Sequence, residues 1–222
     1  DLPALCYLLE HCGKAFGPKL SEKIVAIAGM KLNEATPMVK AWAEAFTRIV
    51  VYPSRSLSAI TDPEELEKET AKSRAINMAS MRALDKCKEE GKAVLVFPSG
   101  TRYRPGHSET RQGLREIDSY LRLFDVMILV SINGSCLRIN TEAPEDMLAD
   151  LVCQDTVIMS ASPVIECKKF RDDIMSSLPD SMEDKKPAVV QKIMDMLKEQ
   201  HDAQQSAYLQ AYKNETGKDS DY

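Results

Sequence analysis

The sequence predicts an α/β fold with a central, mostly parallel or mixed sheet and helices on both faces. Three observations predict it. Short β-branched apolar runs alternate with longer segments of helical periodicity. The runs are continuous rather than polar–apolar alternating, the mark of strands covered on both faces. The first three runs are each followed directly by Gly or Pro. Strands separated by helices make a layered α/β structure, whose ligands sit beyond the carboxyl ends of the strands.

Leu5, Leu8, Leu9 and Cys12 recur at helical spacing over residues 3–12, with Asp1 positioned as N-cap and Pro3 in the first turn. Gly13 and Gly17-Pro18 stop that helix. Residues 24–28 (IVAIA) form a buried strand ending at Gly29. Thr36-Pro37 opens a helix carrying Val39, Trp42, Ala43 and Phe46, with Trp42 and Phe46 read as core. Residues 49–52 (IVVY) form a second strand, closed by Pro53.

Asp62-Pro63-Glu64-Glu65 supplies an Asp cap, Pro at N1 and a Glu that reaches back to the cap, so a helix starts there and runs to Glu90 before Gly91. Its apolar side includes Leu66, Ile76, Met81, Leu84 and Cys87. Residues 93–97 (AVLVF) predict a central strand. Residues 126–132 and 156–162 predict further strands, and residues 113–124 and 187–212 predict helices. One domain spans 1–215, and 216–222 is a polar tail.

Composition is that of a globular protein, with 44% apolar and 28% charged residues. With 29 Lys/Arg against 34 Asp/Glu the net charge is −5, so the chain as a whole does not attract nucleic acid or anionic lipid. Any anion site must be a local concentration of positive charge. The longest apolar run falls far below the roughly 18 residues of a spanning helix. The abrupt Asp1-Leu2-Pro3 start predicts a truncated N-terminus. Six scattered cysteines without a CxxC pair read as core fillers of a reduced protein, cytoplasmic by inference, and offer no metal-ligand spacing; no cofactor is implied.

Chemistry concentrates after residue 97. Arg102 and Arg104 lie one residue apart in a Gly/Pro-bounded turn just past a strand, and two guanidinium forks in one turn make a phosphate clamp. Arg55, flanked by Ser54 and Ser56, follows the second strand. Between Lys92 and Arg122, six Lys/Arg stand against three Asp/Glu. The alternative is that these arginines are loop charges pairing with carboxylates. His107 is either a helper to the clamp or a solvated loop residue. Ser99 reads as a turn former, and Gly134 and Ser135 as candidates to line an apolar pocket.

Phe97-Pro98-Ser99-Gly100-Thr101-Arg102 resembles the F-P-E-G-T-R signature of the glycerol-phosphate acyltransferase superfamily. The plastid-type soluble glycerol-3-phosphate acyltransferases are closer still. Their loop reads P-S-G-G-R-x-R-P, which Pro98, Ser99, Gly100, Arg102, Arg104 and Pro105 match, with Thr101 in place of Gly. Residues 1–10 resemble the D-P-A-V…L-L-E that follows the family's H-x4-D motif. Residues 55–57, 60–84, 156–174 and 188–208 resemble its later segments, so the likeness covers nearly the whole chain.

The resemblance implies transfer of a fatty acyl group from an acyl carrier protein or CoA thioester to glycerol 3-phosphate, in phospholipid synthesis. A His is implied as general base five positions before Asp1, with Asp1 as its orienting carboxylate. None of His11, His107 and His201 has an Asp five residues later. Arg55, Arg102 and Arg104 are implied as phosphate ligands, supported by Ser56, Ser99 and Gly100. Ser56 stands where the family carries a second basic residue. Two alternatives remain: a lysophosphatidate acyltransferase in peripheral contact with a membrane, and a non-catalytic phosphate- or lipid-binding relative.

Overall fold

A computed structural model describes residues 1–222 apart from 31–36, 54–56, 58–59, 105, 145, 148 and 221–222, and gives the backbone alone at 38, 39 and 42. The chain is mixed α/β and falls into two compact units, Asp1–Gly100 and Thr101–Tyr222.

The first unit holds a three-stranded parallel sheet. Strand β1 (Ile24–Gly29) lies between β2 (Arg48–Val51) and β3 (Ala93–Leu95), with Ala28 opposite Val50 and Ala26 opposite Leu95. The expected central strand is therefore an edge strand of this sheet, and β1 is the middle one. A continuous apolar run reports two covered faces; it does not report how many neighbours share its hydrogen bonds. Strand β3 also ends two residues early, because the Phe97 carbonyl is taken by a turn.

Two short helices, α1 (Leu2–His11) and α2 (Phe16–Ser21), precede β1. Sequence reading missed α2, taking Gly17-Pro18 as a stop. Pro18 falls in the first turn, where its missing N–H costs no hydrogen bond. Gly17 lets α1 approach: a Cβ there would lie 2.0 Å from the Leu9 carbonyl oxygen and 2.7 Å from Cys12 Sγ.

Helix α3 (Pro37–Glu44) and the 27-residue α4 (Pro63–Glu89) are further described helices of the unit. Of the expected core pair, the Trp42 side chain lies outside the described residues, and Phe46 is half-buried in the bend that follows α3. The Asp62 cap and Pro63 of α4 are as expected, and the bond formed runs from Glu65 N to Asp62 in place of the expected reach of the Glu65 side chain. Asp62 accepts from Glu65 N at 2.8 Å, Pro63 is at N1, and Lys86 and Lys88 face the carboxyl end. Its buried face carries Leu84 with two serines, Ser73 and Ser80, while Leu66, Met78 and Met81 are exposed. Ser80 Oγ lies 2.5 Å from the Val50 carbonyl oxygen and 2.8 Å from that of Ile76, tying α4 to β2.

The second unit departs further from the expected single sheet. Its described strands form antiparallel pairs: β4 (Val126–Met127) with β9 (Ile165–Glu166), β5 (Val130–Asn133) with β8 (Ile158–Ala161), and β6 (Leu137–Arg138) with β7 (Leu151–Val152). The strand expected over 126–132 is thus two strands that pair with different partners. A single-turn 3-10 helix (Ser108–Arg111) precedes α5 (Ile117–Leu123), and α6 (Cys167–Ser177) leads to α7 (Lys186–Thr216). Val189, Val190, Ile193 and Tyr208 of α7 are buried, and the helix packs on β5 and β8. It stops at Gly217, whose φ of 71° is the left-handed cap that glycine takes without strain. Among the described residues no helix is long and apolar enough to cross a membrane.

Candidate functional site

Because β1, β2 and β3 are parallel, their carboxyl ends lie on one edge of the sheet. Tyr52, directly after β2, is fixed there by α4. Asn77 Oδ1 accepts from Tyr52 N at 2.9 Å, Asn77 Nδ2 donates to Tyr52 O at 3.1 Å, and the Tyr52 hydroxyl donates to Glu69 at 2.7 Å. The Tyr52 hydrogen bond, helped by Lys72, holds the Glu69 carboxyl below its usual range. After β3 the chain makes a tight turn in which Gly100 N donates to Phe97 O at 2.9 Å. Gly100 has φ 64°, so this position of the motif takes glycine for conformational reasons. Ser99 is half-buried within the turn, as a turn former.

Arg55 and Ser56 lie outside the described residues. Asp1 is the N-cap residue of α1, but its carboxylate makes no capping hydrogen bond and is exposed. Asp1, Ser99 and Gly100 belong to the first unit, and Arg102 and Arg104 to the second.

In the second unit the backbone of Arg104 is held by its own loop. Thr110 Oγ1 accepts from Arg104 N at 3.0 Å and donates to His107 O at 2.7 Å, and His107 N donates to Arg104 O at 3.0 Å. His107 Nδ1 lies 3.0 Å from Glu109 Oε1, and the Arg111 guanidinium stacks 3.8 Å from the centre of the Tyr103 ring.

Both guanidinium groups then converge on a single carboxylate. Arg102 Nη1 is 2.8 Å from Asp150 Oδ2, and Arg104 Nη1 is 3.4 Å from each Asp150 oxygen. Arg102 Nη2 donates to Met147 O at 2.8 Å, and Arg104 Nη2 donates to Pro144 O. Side-chain exposure is 5% for Asp150, 6% for Arg104 and 38% for Arg102. The pair therefore holds one anion already, one supplied by the chain, with two positive charges facing one negative.

The carboxylate pairing that sequence reading weighed against a phosphate clamp is present, but it is largely buried instead of solvated. Asp150 itself was missed. It lies 46 residues beyond Arg104, in a connection without helical or strand periodicity, and the only available signal was an acidic residue flanking a short apolar pair.

Two more carboxylates are fully buried in this unit. Asp118 takes Arg171 Nε at 2.7 Å, with Arg122 at 3.4 Å. Asp155 accepts from Ser135 N, Thr156 N, Arg138 and Tyr208. Gly134 and Ser135, candidates for a pocket wall, instead build this turn. A Cβ on Gly134 would lie 2.1 Å from the Thr156 carbonyl oxygen. A cleft elsewhere in the unit is bordered by Arg122, Lys168 and Arg171 and equally by Asp125, Glu166 and Asp172, so it offers no net charge to an anion. No three His, Cys, Asp or Glu side chains among the described residues are grouped to hold a metal. Compared with known proteins, the chain matches no protein family and no curated sequence.

Proposed function

We propose that the chain is an acyltransferase of the glycerol-phosphate type, with the acyltransferase-like sheet and helix arrangement that its loop sequence implies. The observation that carries this reading is the convergence of Arg102 and Arg104 on one anion, in a loop whose sequence is P-S-G-T-R-Y-R-P. Two forked cations on a single acid group form the arrangement a phosphate monoester requires. In the resting protein Asp150 takes that position, and the acceptor's phosphate exchanges with it. The exchange replaces a single negative charge by a dianion, which balances the two guanidinium groups.

The acceptor's hydroxyl attacks the acyl thioester directly. In the mechanism that the loop resemblance implies, its proton passes to a His that Asp1 orients, and the imidazolium returns the proton to the departing thiolate. Arg102 and Arg104, with Arg55, hold the phosphate so that the hydroxyl is aligned. Ser56, Ser99 and Gly100 support the loops that carry these groups. The donor is an acyl carrier protein or CoA thioester.

The test is acyl transfer by the full-length protein to glycerol 3-phosphate and to lysophosphatidate, with both donors. Transfer to the former is expected, and Arg102→Ala should raise the acceptor KM while leaving kcat nearly unchanged. Transfer to lysophosphatidate alone would move the assignment to that activity. No transfer to either acceptor overturns it. A second reading has its own observation: Arg104 is almost wholly buried against Asp150 and the Pro144 carbonyl, as in an internal clasp. Phosphate binding without acyl transfer would establish a non-catalytic relative.

A further inference from the structure

We propose that Cys136 and Cys153 are a disulfide-forming dithiol that staples the base of the 139–150 loop. The inference rests on the second unit alone and does not depend on acyl transfer. Strands β6 and β7 pair with Leu137 opposite Val152 and Arg138 opposite Leu151. One hydrogen bond extends this register outward past the strand ends, where Cys153 N donates to Cys136 O at 2.8 Å, with Cys136 in a bend just before β6. Cys136 and Cys153 are therefore direct cross-strand partners. Strand alternation puts both side chains on the same face of the pair.

A hydrogen-bonded antiparallel pair holds its Cα atoms about 5.5 Å apart. That separation lies inside the roughly 4.4–6.8 Å range of natural disulfides, and the Cβ atoms, about 5.5 Å apart at a hydrogen-bonded pair, must close by about 1 Å beyond the strand ends for the bond to form. Access is also suitable, since Cys136 is exposed and Cys153 is half-buried. The other cysteines sit on helices or at their ends, and Cys167 is buried at the start of α6.

The loop these thiols would close carries Pro144, Met147 and Asp150, the groups that receive Arg102 and Arg104. Two residue pairs of β6 and β7 now hold its base. Oxidation would add a covalent tie beside them and restrain the clasp on the arginines.

The chemistry is thiol–disulfide exchange with a low-molecular-weight disulfide. The Cys136 thiolate attacks one sulfur, the small S–S bond breaks, and one small thiol leaves. The Cys153 thiolate then attacks the Cys136 sulfur of the mixed disulfide, forming the protein S–S bond and releasing a second small thiol. Two protein thiols are oxidised, one small disulfide is reduced, and the two protein protons end on the departing thiols.

The test exposes the folded full-length protein to oxidised glutathione, blocks remaining thiols with N-ethylmaleimide and maps the peptides. A linked Cys136–Cys153 peptide is expected, with two fewer maleimide adducts per chain. In the Cys153→Ser variant the expectation is a glutathione adduct on Cys136 instead. Recovery of both cysteines as maleimide or separate glutathione adducts overturns the proposal, as does linkage of either to another cysteine. A second measurement needs no variant. After cleavage at Glu142 by a glutamate-specific protease, the flanking fragments of oxidised protein should stay joined until a reductant is added. Fragments that separate without reductant would overturn it equally.

Discussion

The side-chain amide of Asn77 satisfies both backbone groups of Tyr52, accepting from its N–H at 2.9 Å and donating to its carbonyl at 3.1 Å. A side chain on α4 thus does for the end of β2 what a neighbouring strand would do. It fixes Tyr52 two residues before Ser54, Arg55 and Ser56, the segment for which a phosphate contact is proposed. Asn77→Ala would leave the N–H and carbonyl of a buried residue without these partners. The expected cost is about 1–3 kcal/mol, read as a lower urea midpoint with unchanged slope. An unchanged midpoint would show that water or another group substitutes.

The same corner predicts a pH effect. The Tyr52 hydroxyl, and next Lys72, lower the Glu69 pKa from its usual 4.5. A depressed carboxyl stabilises the fold above its unfolded pKa, and that contribution disappears as pH falls through the folded value. Stability should therefore decline below about pH 4.5 partly through Glu69. In Tyr52→Phe the Glu69 titration, followed by NMR, should move upward towards the usual value. A midpoint that stays depressed would assign the effect to Lys72.

Asp150 connects stability to the proposed ligand. Asp150→Ala leaves Arg104 buried without its carboxylate, and breaking a buried pair typically costs about 3–5 kcal/mol. The lower end is expected, because Arg102 is partly exposed and screened by water. If the arginines accept phosphate, inorganic phosphate should restore more of the lost stability in Asp150→Ala than it adds to the wild type. Binding at 100 times Kd contributes about 2.7 kcal/mol. Equal phosphate shifts in thermal denaturation of the two proteins would leave Arg102 and Arg104 as a structural clasp only.

How much of this was legible in the sequence follows from range. The Asp62 cap of α4, strands β1 and β2 to within a residue and the turn at Gly100 are set by residues a few positions apart, and the sequence places them. The partner of Arg104 is not local. Neither is the register that sets Cys136 opposite Cys153, since it depends on how a 12-residue loop closes. Composition makes the cysteines core fillers, yet only Cys167 is buried. Strand β3 shows a related limit, because its apolar run cannot distinguish the middle of a sheet from an edge covered by other elements.

Asp155 provides the sharpest test of the second unit's packing. Its carboxylate is fully buried and is met by Arg138 Nη2 at 2.9 Å, Ser135 N at 2.8 Å, Thr156 N at 2.7 Å and the Tyr208 hydroxyl at 3.0 Å. Asp155→Ala removes the acceptor for all four donors and takes a fully buried carboxylate from beside Arg138, so a loss of about 3–5 kcal/mol is expected. Tyr208→Phe removes one donor and should cost about 0.5–1.5 kcal/mol. Because both act on one carboxylate, the double variant should lose less than the sum of the two. Chemical denaturation of the four proteins measures this directly. Strict additivity would mean that the Tyr208 hydroxyl contributes through Ser220 Oγ, 2.8 Å away, rather than through Asp155.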